Sequence, residues 1–212
     1  SPKIPLTELY AGLNIINSNF KFAHISLDKS YSEDAINFIN SKVQGTSIQI
    51  TNAISDAIDS DNSLLRITNI KCKKIGNDCF DLSHSTAEVQ SVEAFNVLDK
   101  VLSLGETSTL NLQKLNIQSS EIGVVSKDSS LLNLNSFLYS RLTIPIATFI
   151  KKQQFGPPIV NVQKIYPNNS KRSLISFDSI VSIGNNRIKG TLTSKEISSK
   201  LYGREFGVKT RR

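Results

Sequence analysis

Apolar and polar residues alternate over short stretches of this chain, as in Ile48-Gln49-Ile50 and Leu110-Asn111-Leu112-Gln113. A period of two marks strands with one buried face. The alternation is itself repeated. Segments 34–41 (DAINFINS), 56–63 (DAIDSDNS) and 78–85 (DCFDLSHS) begin 22 residues apart, and each closes on serine. Segments 100–107 and 122–129, followed by Ser108 and Ser130, keep the frame after a one-residue slip near Gly105. Ile67, Val89, Leu112 and Leu134 form an apolar column at spacings of 22 or 23 residues, and segments 12–19 and 144–151 extend the pattern at both ends.

A fixed period of this size signals a solenoid, in which no unit buries its apolar face alone and stacked neighbours share a core. The chain therefore predicts an all-β fold, a right-handed parallel β-helix of about seven coils, its hand following the general crossover preference. A leucine-rich repeat of similar period would need its own signature and a helical half, and neither is present. Open sheet edges need covering, and the end of the chain supplies a candidate cap. Residues 173–183 and 187–192 alternate around Gly184-Asn185-Asn186, a hairpin signal. Thr193 and Glu196 then have capping-box spacing, Ile197 and Leu201 share a helix face, and Gly203 can end that helix. This divides the chain into a parallel β-helix over 1–163 and a basic cap and tail over 164–212.

Charge follows the same division. The whole chain has 25 Lys/Arg, 18 Asp/Glu and a net charge of +7. Residues 1–163 hold 14 basic and 15 acidic side chains, whereas 164–212 hold 11 and 3. The last residues, with Arg204, Lys209, Arg211 and Arg212, read as a mobile basic end. Without interleaved aromatics this gives no specific nucleic-acid reader. Cys72 and Cys79 read as small buried residues, because two cysteines seven apart make neither a disulfide framework nor a zinc ligand set. His24 and His84 are too far apart for a joint site and read as surface or turn residues. No apolar run is long enough for a membrane span. The Ser1-Pro2-Lys3 start and the Arg211-Arg212 end suggest a processed or excised piece, with partner domains in a longer protein.

The coil segments 32–41, 55–62, 76–85, 98–108, 123–130 and 148–156, taken in order, resemble right-handed parallel β-helix proteins of bacterial envelopes, of the type that accompanies spore-coat-protein-H-like modules. That resemblance implies the fold and a cell-envelope or secreted setting. A more distant likeness is to polygalacturonase-type β-helix glycosidases, through Ser55-Asp56, Gly76-Asn77-Asp78-Cys79 and Asp99-Lys100. Asn77 replaces one carboxylate of that pattern, and Lys100 stands where histidine is expected.

Stacking the repeat brings side chains of one kind together. Asp34, Asp56 and Asp78 form one column and Asn37, Asp59 and Asp81 another, with neighbours about 4.8 Å apart. Carboxylates that close raise one another's pKa, bind a cation or pair with bases. They can equally serve as corner acceptors for backbone N–H groups, with Ser41, Ser63 and Ser85 doing the same at the other end. The expected function is a cell-envelope or secreted module that binds polysaccharide, possibly acidic in kind, or serves in surface assembly. Asp59, Asp81, Glu106, Asp128, Lys151 and Lys152 are the expected ligand contacts. The alternative is a polysaccharide-processing enzyme, a hydrolase, lyase or epimerase, using Asp56 and Asp78 with Lys100 or Lys127. No organic cofactor is indicated; calcium is the candidate metal, on Asp59, Asp61 and Asp81.

Overall fold

The computed structural model describes residues 11–167 and 172–203, so the expected basic end over 204–212 lies outside the described residues. The chain is a β-solenoid of about eight turns, with coils about 22 residues apart. The all-β parallel solenoid expected from the repeat is present, with about one turn more than anticipated.

Each coil begins with a short strand. These are β1 (Ala11–Ile16), β3 (Asp34–Ile39), β5 (Asp56–Asp61) and β7 (Phe80–Ser83), and they pair in parallel in that order. A longer run follows in each coil: β2 (Asn19–Asp28), β4 (Lys42–Ala53) and β6 (Leu64–Ile75). From β8 (Thr86–Gly105) through β9 (Thr109–Lys127) and β10 (Leu131–Phe149), each long run continues into the next coil's short strand. β11 (Ile159–Tyr166), β12 (Leu174–Ile175) and β13 (Ile180–Ile183) continue the stack, and β14 (Asn186–Ile188) closes it antiparallel. Residue 163, the expected domain boundary, falls within β11.

The core is made of columns. Ile36, Ile58, Phe80, Leu102, Val124 and Ile146 are in register from coil to coil, and all six are wholly buried. Each such side chain contributes about 1.5–3 kcal/mol by leaving water. Ile67, Val89, Leu112 and Leu134 form the expected second column.

Corners use residues that tolerate positive φ. Asn17, Asn40, Asn62 and His84 occupy one corner in successive coils. In the next two coils that corner has two such residues, Glu106-Thr107 and Asp128-Ser129. This added corner residue accounts for the slip near Gly105. Just beyond the corner, Ser41, Ser63, Ser85 and Ser108 form a buried ladder in which each Oγ accepts from a backbone N–H one coil below, at 2.9–3.2 Å. The serines are structural, as the turn reading expects.

Cys72 and Cys79 are buried but not free: they are disulfide-bonded, with Cα atoms 5.9 Å apart. The bend around Gly76 folds the end of β6 back on the start of the next coil, which the seven-residue spacing did not reveal.

At the far end, β13 and β14 pair around Gly184 and Asn185, and α1 (Ser194–Leu201) follows with the Thr193/Glu196 capping box. Ile197 and Leu201 pack on Ile122, Val125, Ile144, Ala147 and Phe149, an apolar patch on the outside of the last coils. The cap thus covers one flank of the solenoid as well as its end.

Candidate functional site

The short strands present the acidic columns. Asp34 pairs with Asp56, Asn37 with Asp59 and Asp59 with Asp81. Asp59 and Asp81 alternate with the buried pairs Ile58/Ser60 and Phe80/Leu82, so they project outward. Along this flank the acids give way to Lys100 and Lys127, and then to the apolar patch under α1.

Much of this flank is engaged in holding the coils together. Asp56 Oδ1 accepts from Asn77 Nδ2 at 2.6 Å and from the Asp78 N–H at 2.7 Å, the corner role anticipated for such residues. Lys100 Nζ lies 2.9 Å from Asp78 Oδ1 and 2.6 Å from Asp99 Oδ2, and all three residues are buried. Burial opposes the Lys100 charge, but Asp78 and Asp99 more than offset it and raise its pKa. Lys127 is also buried, with Nζ donating to Ser103 Oγ at 3.2 Å. Asp128, an expected ligand contact, is wholly buried, and its Oδ1 accepts from the Lys151 and Lys152 N–H groups at 2.7 and 2.8 Å. That placement corrects the expectation: Asp128 shapes the turn after β10 and presents no surface to a ligand. Lys152 pairs with Glu106, and the Lys151 ammonium sits 4.6 Å from the centroid of the Tyr202 ring.

Five carboxyls of this flank have pKa values raised above the ordinary carboxylate range. Burial and then Glu33 raise Asp34 to about 6. Burial and then Asp78 raise Asp56 to about 8, and burial followed by Asp61 and Asp81 raises Asp59 to about 8. Asp61 is raised by burial and by Glu106, and burial raises Asp81 against the opposing pull of Lys127. Burial thus favours the protonated form of Asp56 and Asp59 near neutral pH. Among the described residues, no three His, Cys, Asp or Glu side chains converge as a metal-ligand set, and Asp59, Asp61 and Asp81 are coupled by charge only.

A large concavity lies elsewhere, on the long runs. Strand pairing lapses at Ala23, Thr46, Thr68, Gln90 and Gln113 in successive coils, and the sheet bends there. A groove of about 860 Å³ follows that bend along the solenoid axis. One column along it is Lys21, Gln44, Arg66, Glu88 and Asn111, and the other is Thr46, Thr68, Gln90 and Gln113. Asn111 is half-buried and the other eight are exposed. Arg66 and Glu88 pair at 3.1 Å. Beyond them, Asn133 Nδ2 donates to Asn111 Oδ1 at 2.9 Å and Asn161 Nδ2 to Asn133 Oδ1 at 3.0 Å, while Asn135 donates to Gln113.

None of these groove residues was an expected contact. The available signal was a polar residue directly after each member of the Ile67/Val89/Leu112/Leu134 column, namely Thr68, Gln90, Gln113 and Asn135. Compared with known protein families, curated proteins and solved structures, the chain matches none. The envelope and polygalacturonase-type likenesses therefore rest on the coil residues alone.

Proposed function

We propose that this solenoid is a polysaccharide-binding module of the cell envelope or of secreted material, and that it holds a glycan chain lengthwise in the groove of the long runs. One observation carries the reading: amide, hydroxyl and charged side chains line an open groove at every coil, about 4.8 Å apart, along five successive coils. A repeating polymer presents hydroxyls at a comparable interval, so both partners repeat along one axis. The disulfide supports an oxidising setting. The finer assignment, to the spore-coat-associated β-helix type, is part of this proposal.

Affinity electrophoresis through gels containing neutral or acidic polysaccharides tests it. Retardation by at least one polymer is expected, with Gln90→Ala/Gln113→Ala weakening it and Asp59→Asn/Asp81→Asn leaving it unchanged. Retardation lost only in the aspartate variant would move the site to the acidic flank.

A second reading, a polysaccharide-processing enzyme, is favoured by one observation: Asp56 and Asp59 hold protons up to about pH 8, as general acids must. Release of new reducing ends from polysaccharides, abolished by Asp59→Asn, would establish chain cleavage on that flank. No release with or without calcium leaves binding as the function.

A further inference from the structure

Resting on the groove reading above, we infer that the ligand is an uncharged, extended polysaccharide, held about one sugar per coil by hydrogen bonds to a pre-oriented amide ladder. Charge is the first argument. Arg66 and Glu88 neutralise each other across adjacent coils, so the middle of the groove offers no net cation. Towards the far end the column consists of Asn111, Asn133 and Asn161, and a polyanion would meet the Glu88 carboxylate before reaching them. An acidic chain carries charge at every sugar or two and needs cations at that interval. Besides the Arg66 held by Glu88, the cation lining this groove is Lys21, at one end.

The ladder is the second argument. A primary amide has two N–H donors and a carbonyl oxygen with two lone pairs. Asn133 spends one donor on Asn111 and one acceptor site on Asn161. One N–H and one lone pair of Asn133 remain for a ligand. A sugar hydroxyl is both donor and acceptor, so this is the complement that an uncharged glycan requires. The contacts along the axis also fix which way the amide faces, which reduces the ordering cost of binding.

Spacing is the third argument. An extended pyranose chain advances per sugar by nearly the distance between coils, so successive sugars can meet successive amides without losing register. Phe22 is the one aromatic among the lining residues and packs, half-buried, against the apolar core at one end, so recognition along the rest of the groove is through sugar edges, not ring stacking.

The test is titration calorimetry of the described chain with cello-oligosaccharides and manno-oligosaccharides of increasing length, and with oligogalacturonides of the same lengths, at low and high salt. Affinity for a neutral series is expected to rise with length and flatten near five to seven sugars, the span from Lys21 to Asn111 or on to Asn161, with little effect of salt. Asn133→Ala should lower the affinity of the longest neutral oligomers about five- to tenfold and leave the shortest unchanged. Binding confined to the oligogalacturonides, or a steep loss in salt, overturns the inference while sparing the polysaccharide reading. Absence of binding to these oligomers, together with no retardation by any polysaccharide gel, overturns both.

Discussion

Replacing Lys100 by methionine tests whether the acid-to-base junction holds the middle coils together. Asp78, Asp99 and Lys100 have 3, 8 and 6% of their surface exposed, so water cannot stand in for the missing ammonium. Breaking a buried pair by removing one partner costs about 3–5 kcal/mol, because a charge is left uncompensated. Protonation gives a second route to the same size. A buried carboxyl that must take up a proton at pH 7, against an ordinary value near 4, costs roughly 4 kcal/mol, and the cost falls by about 1.4 kcal/mol for each pH unit lost. Urea denaturation followed by far-ultraviolet circular dichroism, at pH 7 and pH 5, should therefore show a large loss at pH 7 and a clearly smaller one at pH 5, relative to the unmodified chain. Combining Lys100→Met with Asp78→Asn and Asp99→Asn should recover most of the loss, since neutral side chains need no counter-charge. A loss below about 1 kcal/mol, or one that does not change with pH, would refute the assignment of this cluster as a structural ion pair.

The other predictions concern the acid columns and the close approach of coils. Asp56 and Asp59 have folded pKa values of about 8, well above those of the unfolded chain, so the folded state binds the extra protons. Their stabilising effect is complete below about pH 4 and is lost as pH rises through 8, so the melting temperature should fall between pH 5 and pH 8, by about 2–4 °C per kcal/mol. Asp59→Asn should flatten that dependence, and a melting temperature that rises over this window would contradict the pKa assignment. A Cβ at Gly76 would lie 2.0 Å from the Ile54 carbonyl oxygen, backbone of the preceding coil, whereas at Gly105 the nearest atom is 3.6 Å away. Gly76→Ala should cost about 3 kcal/mol or prevent folding, and Gly105→Ala less than about 1, in the same denaturation assay.

The fold was legible because a solenoid forces each position of the repeat into one environment. Asp34 and Asp56 begin the same strand in successive coils, and Asp78 lies just ahead of that strand in the next coil with its N–H donating to Asp56, so spacing alone placed the three. The capping box and the hairpin were readable for a different reason, since both are local patterns. What spacing could not convey was depth. Asp128 looked like any acidic coil-end residue, yet it lies beneath the turn that it holds. The Cys72–Cys79 bond depends on a chain reversal at Gly76 that leaves no mark on a count of residues. The groove was missed because Thr46, Thr68, Gln90 and Gln113 are individually ordinary, and only the lapse in pairing beside them gives a concave surface.

The two flanks also show that stacking rewards different side chains differently. A stacked amide gains, because its N–H donates to the carbonyl of the next coil, as from Asn133 to Asn111. A stacked carboxylate loses, because burial and then the charges of Asp61 and Asp81 oppose its ionisation, and Asp59 keeps a proton or forfeits stability. The acid flank therefore changes its charge state across the physiological pH range, whereas the amide ladder has nothing to titrate. A surface that must hold one polymer under varying conditions is better built from the second kind. Under the proposed function, binding falls to the groove, and chemistry that needs a proton falls to the flank that carries Asp56 and Asp59.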